Sequence, residues 1–304
     1  MNAIEIQDLT KSFRGLYALR HLNMTVPAGA IYGFIGENGS GKSTTEKLIC
    51  GHLVPDSGKI RLFGRSYKDA GVRARVGALI ENAGCFPESS VYQNLLMQAI
   101  NLGISEPDGE IMRVLRTVRM DDDAKLKFKK CSLGMKQRTG IAMALLGDPA
   151  LLILDEPING LDADGCRIMR EVLVDITRNT GCTVLISSHI LGELEKIATH
   201  YGIIREGQML REISAQEMES RARNVTEVEA GDVNKAAALL KGHFGKIEEE
   251  NGTLLVYDAA SPEMVASVLL EGGIAPRKIK RERIGLEEYY ETLMKGENAA
   301  WIRQ

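Results

Sequence analysis

The chain has 304 residues, 44% hydrophobic and 26% charged, which excludes disordered and fibrous classes and suits one large α/β domain with an appendage, or two domains. Lysine and arginine total 38 against 41 acids, a net charge of −3, so no global basic field for nucleic acid is expected. No run approaches the roughly 18 apolar residues of a spanning helix. Residues 1–10 carry two acids in an alternating pattern and do not read as a secretory signal. The five cysteines are widely spaced without C-x-x-C and read as reduced thiols. A soluble, cytoplasmic chain is expected.

Residues 4–6 and 19–26 read as strands with one polar face, close enough in sequence to pair antiparallel. Residues 30–35 form a buried strand entering a glycine-rich turn. The short apolar runs 151–154 and 183–186 have helical segments between them, which predicts a mainly parallel sheet with helices on its faces. Three stretches of helical periodicity (91–102, 109–118 and 133–146) make residues about 89–147 a helical insertion. Residues 216–224 read as a charged linker. Beyond them lie a strand (225–230), a helix (233–241), two strands (246–250, 253–257) flanking Asn251-Gly252, a helix (262–270), a strand (276–283) and a helix (286–294). This βαββαβ order resembles a ferredoxin-like unit. The expected division is therefore a domain at 1–215, a linker at 216–224, a small α+β accessory domain at 225–296 and a frayed tail at 297–304.

Gly36-Glu37-Asn38-Gly39-Ser40-Gly41-Lys42-Ser43 fits G-x-x-x-x-G-K-[ST] between an apolar strand and a helix. Its glycines let backbone N–H groups turn inward around a phosphate chain, and the helix N-terminus adds partial positive charge. Lys42 is expected on the β- and γ-phosphates and the Ser43 hydroxyl on Mg²⁺. The strand Leu151-Leu152-Ile153-Leu154 ends in Asp155-Glu156, which places two carboxylates at the carboxyl edge of the sheet. Asp155 suits the Mg²⁺ shell, and Glu156 suits polarising an attacking water. Ser132 reads as the N-cap of a helix whose first turn Gly134 keeps accessible to an anion.

In their order and spacing from Leu9 to about Gly207, these motifs resemble the ATP-binding subunits of the ABC transporter family. The resemblance implies a P-loop ATPase cassette with a mainly parallel core, an antiparallel β subdomain and a helical subdomain. It also implies ATP sandwiched between two nucleotide-binding domains, a homodimer or a pseudo-symmetric pair, on separate transmembrane permease subunits at the inner face of the cell membrane. Ser132-Leu133-Gly134-Met135-Lys136-Gln137 is similar to the family signature, though it departs from the commoner L-S-G-G-Q. Gly160-Leu161-Asp162 resembles the loop that signals between the two domains. His189 resembles the switch histidine at the γ-phosphate, Phe13 the aromatic that stacks on adenine, and Thr44 completes the phosphate loop. Glu81 stands where the family usually has a glutamine that touches Mg²⁺ and the permease.

Glu81, the signature form and Leu286-Glu287-Glu288-Tyr289-Tyr290 are similar to exporters serving resistance or self-immunity to bacitracin and lantibiotic peptides. The implied activity is ATP hydrolysis that drives such export. Two other readings stay open: export of a lipid or small drug, and a soluble ATP-driven switch acting on ribosomes or DNA. Lys125, Lys127, Lys129, Lys130, Lys136 and Arg138 form a basic run that reads as a solvated face, with phosphates or anionic lipid headgroups as a secondary partner. Nucleic acid is not an expected partner.

Overall fold

The computed structural model describes residues 1–221, 224–250, 252–257, 261–283 and 285–295. The chain divides into two compact units, Met1–Ala215 and a second beginning at Gln216.

In the first unit, β1 (Asn2–Phe13) and β2 (Leu16–Pro27) form an antiparallel hairpin, followed by β3 (Ile31–Ile35) and helix α1 (Lys42–Ile49). The short strands β4 (Ser57–Leu62) and β5 (Arg65–Ser66) complete an antiparallel sheet in the order β2-β1-β4-β5. After α2 (Ala70–Arg73) and β6 (Val76–Leu79) come α3 (Val91–Asn101), α4 (Pro107–Thr117) and α5 (Leu133–Leu145), the helical insertion. Among the described residues its β structure is a single bridge, Ser90 to Lys127. The chain returns through β7 (Leu151–Asp155), α6 (Ala163–Thr180), β8 (Thr183–Ser188), α7 (Leu191–Leu194), β9 (His200–Arg205) and β10 (Gln208–Ser214).

The central sheet runs β10-β9-β3-β8-β7-β6, parallel except for the β9–β10 edge pair. Every residue of β3 and β8 is buried, as in a sheet covered on both faces. That is why residues 31–35 and 184–186 read as runs without an alternating polar face. β6 is less legible because it contains Gly77. A Cβ there would lie 2.0 Å from the Ala144 carbonyl oxygen, so the close approach of α5 excludes a side chain. Tyr32, Phe34, Ile153, Leu185 and Ile204 join Leu48 and Ile49 of α1 in the core. All five cysteines are free.

The segment expected as a linker carries helix α8 (Ala215–Arg221), because Ala, Gln, Glu, Met and Arg are strong helix formers. Residues 222–223 lie outside the described residues. The second unit then follows β11 (Asn224–Ala230), α9 (Val233–Lys241), β12 (Lys246–Glu250), β13 (Thr253–Tyr257), α10 (Pro262–Glu271), β14 (Pro276–Arg283) and α11 (Leu286–Lys295). Its antiparallel sheet has the order β12-β13-β11-β14, the ferredoxin-like arrangement. Val228, Leu240, Leu254, Val256, Val265 and Leu269 fill its core. Asn251, from the hairpin signal, and the tail from 297 onward lie outside the described residues.

Candidate active site

Three neighbouring strands deliver the site. Because β8 sits between β3 and β7, the segments leaving the carboxyl ends of all three emerge at one edge. After β3 the chain turns at Gly36, where a Cβ would lie 2.5 Å from both the Ile204 carbonyl oxygen and Ser40 Oγ. Gly41, at φ 110°, brings the loop so close to β2 that a Cβ would lie 2.8 Å from the Ala18 carbonyl oxygen. Lys42, in the first turn of α1, is only 6% exposed. Its ammonium donates to the carbonyls of Gly36 at 2.6 Å and Glu37 at 3.1 Å, so the cation is held inside the loop. Asn38, Gly39, Gly41, Lys42, Ser43 and Thr44 line a cleft of about 250 Å³ together with Ala18, Asp155 and Glu156.

Ser187 links the two acidic residues. Asp155 Oδ2 accepts from Ser43 Oγ at 3.3 Å, and its Oδ1 accepts from Ser187 Oγ at 2.7 Å. Ser187 Oγ in turn accepts from the Glu156 backbone N–H at 3.1 Å. That N–H also faces the Ser187 carbonyl oxygen at 3.1 Å, which holds Glu156 at φ 49°, an uncommon conformation for a residue with a side chain. Glu156 Oε2 lies 2.8 Å from His189 Nδ1. The Ser43 hydroxyl and the Asp155 carboxylate are hard oxygen donors, which fits Mg²⁺. Among the described residues no group of three or more His, Cys, Asp or Glu can hold a metal ion. A cation at Ser43 and Asp155 would therefore complete its shell with phosphate and water oxygens, the usual habit of Mg²⁺.

The ABC transporter family profile matches residues 19–159, the stretch that contains the phosphate loop, the signature helix and both acids. The chain is 38% identical over 299 residues to the bacitracin transport ATP-binding protein BcrA of Bacillus licheniformis, covering 96% of this chain and 97% of that protein. This chain is an ABC transporter ATP-binding subunit. It is also 40% identical over 209 residues to the lantibiotic transport ATP-binding protein SrtF of Streptococcus pyogenes, covering 69% of this chain and 90% of that one. The structure of cbiO1 from Clostridium perfringens, part of the ABC transporter complex cbiONQ, superposes with a TM-score of 0.66 at 26% identity, covering 72% of this chain and 91% of that one.

The ABC ATPase binds ATP and hydrolyses it. Its remaining sequence-derived residues lie outside the phosphate cleft. Phe13 ends β1 as a 44% exposed residue, with the Lys11 ammonium 5.4 Å from its ring centre. Ser132 caps α5, its Oγ accepting from the Met135 N–H at 3.2 Å. At Gly134 the nearest atom to a would-be Cβ is a Leu161 methyl 3.7 Å away, which leaves the first turn open. Glu81 is hydrogen-bonded to Lys47 Nζ at 2.6 Å and exposed, and that bond holds its carboxyl below the usual range. Part of the basic run is tied down. Lys127 and Lys129 pair with Glu88, and Arg138 donates to the Val118 and Arg119 carbonyls.

Sequence reasoning missed two residues of this ABC ATPase, Ser187 and Glu46. Ser187 was legible only as the context of His189; its link to Asp155 depends on which strands are neighbours. Glu46 is fully buried on α1. Burial and the charge of Asp155 push its carboxyl up to about 8. The available signal was an acid in line with Lys42 and Ile49, on the face that α1 buries.

Proposed function

We propose that this ABC ATPase drives export of, or immunity to, peptide antibiotics of the bacitracin and lantibiotic type through separate transmembrane permease subunits. The supporting observation is the similarity to BcrA. At 96% coverage it takes in the C-terminal unit as well as the cassette, so it is a likeness of the whole chain. Among the described residues no helix is long and apolar enough to cross a membrane, in keeping with a permease supplied by other chains.

Within this reading the phosphate loop cradles the ATP phosphates, and Lys42 leaves the Gly36 and Glu37 carbonyls for the β- and γ-phosphates. Ser43 and Asp155 would hold Mg²⁺, which neutralises charge on the phosphate oxygens. Glu156 orients the attacking water and takes its proton as the water oxygen bonds to the γ-phosphorus. The bond to the bridging oxygen breaks and ADP carries away the electron pair. His189, 2.8 Å from the Glu156 carboxylate, orients that base. Phe13 stacks on the adenine. Ser132 and Gly134, outside their own cleft, serve the ATP of a second copy in a head-to-tail dimer. ATP does work on the permease by binding the closed dimer more tightly than the open one.

The reading is tested by deleting the chain from its host and measuring growth against bacitracin, a lantibiotic and an unrelated drug, alongside affinity capture of the tagged protein. Selective sensitisation to the peptides and capture of a polytopic membrane protein are expected. Unchanged peptide sensitivity with stable ribosome association would overturn it.

A further inference from the structure

The carboxyl of Glu46 is buried beneath the phosphate loop with neither oxygen in a hydrogen bond of good geometry. It sits one helical turn beyond Lys42 and Ser43, so α1 aims it at the ends of β7 and β8. The groups acting on it are Asp155, Ser187, Lys42 and Glu156, and Ser187 is the hydroxyl within reach. An unpartnered carboxyl is expensive in such a place, where a leucine would cost nothing. The same Ser187 hydroxyl carries a single proton, now given to Asp155 Oδ1 at 2.7 Å. Its lone pair receives the Glu156 N–H at 3.1 Å. Asp155 meets Ser43 through its other oxygen. A small rotation of Ser187 toward Glu46 would therefore release one oxygen of Asp155 without moving a strand.

We propose that Glu46 is a positioning residue for the Asp155–Ser187 pair. By competing with Asp155 for the single Ser187 proton, it sets how firmly the carboxylate is held toward Ser43 and so how strongly nucleotide binding depends on Mg²⁺. This rests on the assignment of Ser43 and Asp155 to the cation. Leucine in place of Glu46 keeps the volume and removes hydrogen bonding; glutamine keeps the shape and the capacity to bond the hydroxyl.

The test measures binding of a fluorescent ATP analogue by the full chain, with Mg²⁺ and with EDTA, in wild type, Glu46→Leu, Glu46→Gln and Asp155→Asn. Steady-state kcat and KM are measured on the same proteins. Glu46→Leu should change the ratio of the two dissociation constants at least about threefold and change kcat by more than KM, while Glu46→Gln stays within about twofold of wild type on both. A Glu46→Leu protein that keeps the wild-type ratio, or a Glu46→Gln protein that follows the leucine variant, overturns the proposal. Asp155→Asn separates the two levels. If it leaves the Mg²⁺ dependence intact, the cation assignment itself fails; if it removes the dependence while Glu46→Leu does not, only the role of Glu46 falls.

Discussion

His189 Nδ1 lies 2.8 Å from Glu156 Oε2, although the two residues leave different strands and are separated by 33 positions in the chain. The bond makes the pair a unit, with the histidine setting the orientation of the carboxylate. Glu156→Gln should lower kcat about 10³-fold. Size-exclusion chromatography with ATP should show this variant as a persistent dimer. His189→Ala should lower kcat about 10²-fold with KM for ATP little changed. Normal turnover by the glutamine variant would remove Glu156 as the base.

Gly41 supports a second prediction, because its φ of 110° and the Ala18 carbonyl leave no room for a methyl group. Gly41→Ala should weaken ATP binding more than about tenfold and lower Tm by at least ~3 °C. Titration calorimetry and thermal melting check the two effects. A variant that melts like wild type would show that the loop can shift away from β2.

The Glu81–Lys47 pair is exposed, so its loss should leave stability nearly untouched. Glu81→Gln should melt within about 1 °C of wild type. Peptide resistance in cells and ATPase activity of the purified chain, measured separately, then report on function alone. A fall in resistance with normal basal hydrolysis is expected if Glu81 faces the permease.

Glu46 makes stability pH-dependent in a defined direction. Its folded-state pKa, pushed from 4.5 up to about 8, lies above the unfolded value, so the native state binds more protons in between. The stabilisation is complete below about pH 4.5 and is lost as pH rises toward 8. Between pH 6 and 8.5 the melting temperature of wild type should fall relative to Glu46→Leu by roughly 3 °C or more. Parallel melting curves would dismiss the buried acid as the cause.

The candidate groups of the site are legible in the sequence because each lies in a local motif. The glycine spacing before Lys42-Ser43, the apolar run ending in Asp155-Glu156 and the capping serine at 132 each specify a short stretch of backbone. The same holds for the second unit, whose helices and strands alternate with clear periodicity. Two stretches resisted such reading. β6 carries a glycine that exists only to admit α5, and α8 is a charged segment whose residue types favour helix despite a weak apolar pattern.

What the sequence by itself determined is therefore the set of candidate groups: a glycine-rich loop of phosphate-binding pattern, a lysine, a hydroxyl, two acids and a histidine. The tertiary structure alone decided their partners. Ser43 meets Asp155 across 112 positions only because β8 inserts between β3 and β7, and the same insertion sets Ser187 against Asp155. Strand order follows from how whole faces pack, a nonlocal balance that no short motif encodes. It is also what turns Glu46, an unremarked acid in a helix, into a buried carboxyl beneath the site.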